Sequence, residues 1–513
     1  MRLRRPNRYL LVGIFLALFC APPFAGAQVV KQDSLALWDI YWNYYWPSDS
    51  QIHSWFRGPV GSFEGIDISG NRVSAVRLDS AGIEGGFPVS LLELDSLKVL
   101  DLSYNKLSGL LPSAPGRLNA LEVFDLSHNR FSGALPRWTQ EFKNPLVFNV
   151  GYNDLNGVFD VPAGRYSSLK TLILAENEID LKSAEFLRPM VKLEILDLQR
   201  TAFIGPIPSW IGELSSLTEL RILHLFRDEP LPEGLARLSN LTVLDILGRG
   251  PIPSWIGRLT NLKKLALHGG FEGPIPDSIG YLGQLRVLDL YHAFLQGEIP
   301  STLGNLVDLE SLNLSRNYLS GPIPLSLGHL TKLDRLDLAD NSLEGGIPDT
   351  FGSLTSLRTL YVDDNRDLAG PLPNSLTNLK NIRWFRYDDT NLCVYENSEV
   401  HKWSRLATTY ENFCTSTGVD SDPPVDHVIE LGVNFPDPFS NTTTIQYNLP
   451  NPTDVSIKFS DALGRRVQTI FLGYQQGGAH ELNFDASGLP SGIYFYTLIA
   501  GSFSQSRKMV VVR

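Results

Sequence analysis

Three cysteines among 513 residues are too few for a disulfide-stapled scaffold, and with no histidine clustered beside them they furnish no zinc site. Positive charge is scarce as well: 44 lysines and arginines stand against 55 acidic residues, a formal net charge of −11. That balance argues against nucleic acid or an anionic lipid surface as partner. The apolar run 9–19 is cut off by Pro22 and Pro23, well short of the ~20 residues that cross a bilayer, and no other segment is long and apolar enough to span one. Motifs of chemistry are missing too. There is no G-x-S-x-G, no H-E-x-x-H, no Walker loop and no G-x-G-x-x-G ahead of a helix, so nothing points to an enzyme or to a bound cofactor. What remains is a chain of 43% hydrophobic residues, which excludes a mainly disordered protein.

Arg2, Arg4, Arg5 and Arg8 precede the apolar run, and Ala25-Gly26-Ala27 follows it. A basic region, a short apolar core and a small-residue cleavage site read as a secretory signal peptide over residues 1–27. Its loss removes four positive charges and takes the net charge from −11 to −15. The alternatives are a retained anchor, which the prolines oppose, and a lipidated Cys20, which Phe19 ahead of it opposes. In an oxidising compartment the two remaining cysteines, Cys393 and Cys414, are expected to pair, with a loop-entropy contribution of about 3 kcal/mol.

The body of the chain is periodic. Residues 309–330, LESLNLSRNYLSGPIPLSLGHL, place Leu309, Leu312, Leu314, Asn317, Leu319, Gly321, Ile323 and Pro324 at offsets that 333–354, LDRLDLADNSLEGGIPDTFGSL, repeats. Asn105, Asn129, Asn153 and Asn177 fall 24 residues apart, as do Asn317, Asn341 and Asn365. Between the two runs the register slips by four residues: 239–259 is three short and 260–282 one short. The pattern L-x-x-L-x-L-x-x-N-x-L at this period identifies leucine-rich repeats. About 13 or 14 coils over 72–403 are expected to stack into a repeat solenoid of α/β type, mostly parallel β with an irregular or 3-10 outer side, each coil touching only its neighbours. Leucines, asparagines, glycines and prolines of the code are then structural.

The G-x-I-P element (Gly205-Pro206-Ile207-Pro208, Gly273-Pro274-Ile275-Pro276, Gly321-Pro322-Ile323-Pro324) makes the array resemble the plant-type subclass of leucine-rich repeats. Residues 28–71, with Trp38, Trp42, Trp46, Trp55 and Phe56, resemble the N-terminal cap of bacterial secreted proteins of this kind; a sugar site on those aromatics is the competing reading. Residues 404–414, closed by Cys393 and Cys414, look like a disulfide-bearing C-terminal cap. After a polar linker at 415–429, residues 430–513 break into short alternating strands divided by turn signals, as in a small all-β sandwich. Asn434-Phe435-Pro436-Asp437-Pro438-Phe439, Gly464-Arg465-Arg466, Leu489-Pro490-Ser491-Gly492-Ile493-Tyr494 and the closing Lys508-Met509-Val510-Val511-Val512-Arg513 together resemble the C-terminal sorting domain of the bacterial type IX secretion system. That family usually has Asn where Asp437 stands. The resemblance implies Asn434, Pro436, Pro438, Phe439, Gly492, Tyr494 and Lys508 as sorting-motif residues, the secretion machinery as a partner, and a secreted or cell-surface location on a Gram-negative bacterium. An ordinary immunoglobulin-like adhesive module is the alternative.

Function must then lie on solvent-facing strand positions, because the concave face is a solenoid's natural binding surface. Regular coils offer Asp101, Ser103, Tyr104, Asp125, Ser127, His128, Asn149 and Tyr152 there. From 197 to 294 the code loosens, with Thr201, Leu225, Gly270 and Ala293 where Asn is expected. The same stretch sets Arg200, Arg221, His224, Arg249, His268, Tyr291, His292 and Phe294 on or beside the face. Departures from local rules mark functional sites, and Arg and aromatic residues anchor interfaces. These eight are the candidate site for an extracellular protein or glycan; repeat drift on a structural or adhesive spacer is the other explanation. The aspartate column (Asp101, Asp125, Asp197, Asp245, Asp289, Asp337) reads as a solvated face rather than paired glycosidase carboxylates. Asp340, Asp363, Asp364, Asp388 and Asp389, near Tyr361, Trp384, Arg386 and Tyr387, read as a solvated acidic rim in preference to a calcium site.

Overall fold

The computed structural model describes residues 29–44, 55, 60–113, 118–162, 164–181, 183–203, 205–223, 230–408, 410, 412–414, 429–449, 453–462, 465–500 and 503–513. The expected leader, most of the linker and His224 lie outside them. The chain forms two compact units, one ending at Leu181 and one beginning at Lys182.

In the first unit, helix Lys31–Asn43 covers the start of the array. Its Asp33 is fully buried, an arrangement that would be costly without partners. It has them: Arg72 donates from Nε at 3.0 Å and from Nη2 at 3.0 Å, and the Val73 N–H at 2.8 Å. Of the cap aromatics, Trp55 is core, stacked on Phe63 at 5.4 Å, while Trp42 is exposed and stacks on Trp38. The hairpin Ile66–Ser69 and Arg72–Arg77 then hands over to parallel strands. Val76, Leu100, Phe124, Phe148 and Leu172 align coil by coil, each fully buried. Successive strand residues point to opposite faces, so the middle residue of each three-residue strand enters the core.

The second unit repeats this with Leu288, Leu312, Leu336, Leu360 and Phe385 in one buried column. On the other side of most coils, an isoleucine or leucine and a proline lead into a five-residue 3-10 helix, as at Ile323, which is buried, and Pro324 before Leu325–His329. Proline's fixed φ suits that entry. The glycine inside these helices sets the coil spacing: a Cβ on Gly304 would stand 2.5 Å from the Ser326 carbonyl oxygen of the next coil.

Asparagine ties coils together. The Asn317 amide donates to the carbonyls of Leu290, Leu314 and Ser315 at 2.8, 2.9 and 3.2 Å, while its carbonyl accepts from Ala293 and Leu295 of the preceding coil. Every polar group it buries is thereby satisfied. Where the Asn is missing the backbone changes course. In the two short coils the strands Val243–Pro251 and Lys264–Glu272 run nine residues each, paired at nine positions. With no Asn to close a turn, the chain continues straight and the sheet ladder satisfies the backbone instead.

The array ends in strand Asn391–Cys393 and helix Glu399–Ser404, which straddles the boundary placed at 403. Cys393 and Cys414 are bonded, S–S 2.06 Å. Beyond the linker, a three-stranded sheet (Glu430–Phe435, Thr442–Leu449, Gly478–Asp485) faces a four-stranded one (Thr453–Asp461, Arg466–Gln475, Gly492–Ala500, Phe503–Val511), all antiparallel. Phe459 and Phe484 stack between them, centroids 3.8 Å apart.

Candidate binding face

The eight candidates do not form one patch. Arg221 is half-buried and neutralised within its own neighbourhood, 2.6 Å from Glu219 and 3.9 Å from Asp197. His268 stands 3.3 Å from Asp245, whose other oxygen accepts from Lys264 at 2.7 Å. Burial would raise the Asp245 carboxyl, but His268 and Lys264 outweigh it and hold the group below its ordinary range. Arg200 is exposed at a residue with φ +50°, and Arg249 is exposed within the long strand Val243–Pro251.

The remaining three do converge. Tyr291, His292 and Phe294 are exposed, with His292 5.9 Å from Tyr291 and 5.0 Å from Phe294. Two residues join them that sequence reasoning passed over. Tyr318 lies 6.2 Å from Phe294, and the Arg316 guanidinium sits 5.7 Å from the Tyr291 ring. Both belong to the next coil, whose intact Asn code made it look purely structural. The register points to them: Gln296, two residues past Phe294, pairs with Tyr318, and Arg316 occupies the left-handed position in its coil that His292 holds in its own. Five exposed side chains, four of them rings, thus form a polar-edged aromatic surface. The cleft lined by Phe203, Pro206, Leu231 and Leu247 has only about 50 Å³, room for a water or two and no ligand.

Two readings of acidic residues need correction. The aspartate column is only partly solvated: Asp197, Asp245 and Asp337 are 5–7% exposed, while Asp101, Asp125 and Asp289 are half-buried. Its usual job is local, as when Asp125 accepts from the Ser127 N–H at 2.9 Å and hydroxyl at 2.7 Å. Burial, partly offset by those bonds, raises the carboxyl of Asp125, and burial likewise raises that of Asp197. The C-terminal rim is only partly solvated. Asp363 is 2% exposed, with one oxygen 2.7 Å from Arg386 and its pKa pushed up to about 6 by burial. Tyr387 is buried and donates to the Tyr410 carbonyl at 3.1 Å. Tyr361 is held between Arg335 and Arg386, at 5.2 and 5.5 Å. Among the described residues no group of three or more acidic, His or Cys side chains is placed to hold a metal.

In the C-terminal sandwich Asn434, Phe439, Gly492 and Tyr494 are built into the fold, as is Asp437 beside them. Asn434 is fully buried and donates to the Pro436 carbonyl and to Thr443 Oγ1. Asp437 accepts from the Val510 N–H at 2.6 Å, which ties the first turn to the last strand, and burial pushes its pKa up to about 6. Phe439 enters the core and bonds through its backbone with Val510 and Val512. The Tyr494 hydroxyl donates to the Pro490 carbonyl at 3.0 Å, and Gly492 lies against that ring. Lys508 stays exposed. Pro436 and Pro438 are exposed and line a shallow hollow with Tyr281, Asn305 and Val307 of the repeats. There the Asn305 amide donates to the Asp437 carbonyl at 2.7 Å, and His329 lies 4.5 Å from Phe435.

Residues 66–131 match a leucine-rich repeat family, 269–419 a leucine-rich repeat region, and 434–512 the secretion system C-terminal sorting domain. Over 80 residues the chain is 40% identical to a probable disease resistance protein of Arabidopsis thaliana, covering 16% of this chain and 8% of that one. The ectodomain of the Arabidopsis receptor kinase HAESA, solved with a peptide hormone, is 26% identical with a TM-score of 0.59, covering 71% of this chain and 66% of its own. The PEPR1–AtPEP1 structure is 30% identical, TM-score 0.54, at 71% and 56% coverage. A leucine-rich repeat protein of Leptospira interrogans is 25% identical, TM-score 0.51, at 65% and 94%. The chain spans less than two thirds of the length of the first three relatives.

The protein is a leucine-rich repeat solenoid of the kind seen in plant receptor ectodomains and in bacterial repeat proteins. It carries a type IX C-terminal sorting domain, the mark of an exported chain. No helix among the described residues is long and apolar enough to cross a membrane.

Proposed function

We propose that this exported protein is a non-catalytic binder, acting at the cell surface or in the medium of a Gram-negative bacterium. It recognises an extracellular protein or glycan through the strand face around Tyr291, His292, Phe294, Arg316 and Tyr318. The observation that carries this reading is the convergence of those five exposed side chains on neighbouring coils. Exposed rings with an arginine beside them supply large contact area at low entropic cost, the usual anchor of an interface. The HAESA relative, solved with a peptide hormone, supports the use of such a solenoid as a binding surface.

The test is a paired screen of the purified protein and the double variant Tyr291→Ala/Phe294→Ala on a glycan array and an extracellular-protein panel. The reading expects a partner whose affinity drops by at least about tenfold in the double variant. Partners held equally well by both proteins would place recognition elsewhere.

A further inference from the structure

The first unit carries an aromatic arrangement of its own. Tyr104, His128 and Tyr152 occupy the same place in three successive coils, one residue before the ladder asparagines, with φ of 53°, 53° and 58°. Their rings stack face to face: Tyr104 to His128 at 4.0 Å and 14°, His128 to Tyr152 at 4.2 Å and 11°. Inside the stack no face is open. At its leading end the equivalent residue of the preceding coil is Ser80, also at positive φ (54°). A serine cannot cover a ring, and Tyr104 is 59% exposed. The stack therefore ends in a vacant place one coil wide, with the outer face of Tyr104 as its wall.

The surroundings choose the occupant. Asp79, next to Ser80, is exposed, and half-buried Asp101 stands on the strand leading to Tyr104. Arg77, aligned with Asp101, is taken up by Asp67 at 2.6 Å. Burial holds His128 below its ordinary pKa, so the stack itself is neutral near pH 7. An electron-rich ring face, with Asp79 beside Ser80 and with Asp101, one of whose oxygens accepts from Ser103, on the strand before Tyr104, favours a flat cation over a neutral sugar. The chain builds that same pairing from its own residues in the second unit, where Arg335 and Arg386 cover Tyr361 beside Asp337 and Asp363. We propose that the open place over Ser80 receives an arginine guanidinium from a basic segment of a protein partner, stacked on Tyr104 and bridged by Asp79 and Asp101. This site stands independently of the surface around Tyr291.

The test uses Ser80→Tyr in the full chain. Tyrosine is native to this φ at Tyr104 and Tyr152, so the variant extends the stack and fills the vacancy without straining the coil. Fluorescence anisotropy at fixed ionic strength compares a labelled hexa-arginine peptide with hexa-lysine of equal charge. Arginine is expected to bind about tenfold tighter than lysine, the scale of a well-placed guanidinium–ring contact. Ser80→Tyr and Tyr104→Ala abolish that preference, while Tyr318→Ala keeps it. Equal binding of the two peptides, an arginine preference that survives Ser80→Tyr, or binding only to neutral oligosaccharides would overturn the proposal. An unchanged melting temperature for Ser80→Tyr separates loss of the site from loss of the fold.

Discussion

Asn317 closes the turn of the coil before its own: its side-chain oxygen lies 3.1 Å from the Ala293 nitrogen and 3.0 Å from the Leu295 nitrogen. Ala293 stands where its own coil would have carried an asparagine, so that coil depends on its neighbour's. Replacing Asn317 by Ala takes a side-chain partner from two buried N–H groups and from the Leu290 and Leu314 carbonyls, while the Ser315 carbonyl keeps the His292 N–H. We expect a loss of about 2–4 kcal/mol, read as a lower urea midpoint. A shift below about 1 kcal/mol would show that water or relaxation serves these groups equally well.

Gly304 tests coil spacing from the outer side. A Cβ there meets the Ser326 carbonyl oxygen at 2.5 Å, a backbone atom that cannot swing aside. Gly304→Ala should cost about 1–3 kcal/mol by forcing two coils apart. Hydrogen exchange should rise first in the 3-10 segments Ser301–Asn305 and Leu325–His329. Unchanged exchange there would mean that the coils separate without loss.

Asp437 gives a pH signature. Its folded pKa, raised to about 6 chiefly by burial, lies above the unfolded value of 3.8. The native state therefore binds the proton more tightly, and stability falls as pH rises from about 4 through about 6, then levels. Asp437→Asn keeps an acceptor for the Val510 N–H and removes the titration. The variant should be more stable than wild type by about 1–2 kcal/mol at pH 7 and equal to it near pH 4. The difference between the two proteins isolates this group from His329, whose pKa burial lowers and whose slope runs the other way. A constant difference across pH would assign the effect to packing instead.

Export has a direct readout. Fractionation of the host with mass spectrometry of the mature ends should find the chain outside the outer membrane, beginning at Gln28. Removal of the sorting domain, common in its family, would end it near residue 430. A periplasmic chain with Arg513 intact would make the C-terminal sandwich a folded module in its own right.

The site was legible only in part. Tyr291, His292 and Phe294 could be singled out because Ala293 breaks the asparagine code between them. Arg316 and Tyr318 could not, because their coil obeys it; register alone brings them alongside. The aspartate column misled for a related reason. Strand alternation places Asp125 on the open side, but its bond from Asn149 and its partial burial belong to stacked coils.

The linear pattern alone determined the period, the parallel strands, the buried leucine columns and the likeness to a sorting domain, because each rests on residue type at fixed spacing. Tertiary structure decided the rest. It turned two shortened coils into nine-residue strands, joined Tyr104, His128 and Tyr152 into one stack, and gave buried carboxylates their partners. Those outcomes depend on which residues meet across coils 24 positions apart, and a repeat code that fixes the backbone leaves the exposed side chains free to differ.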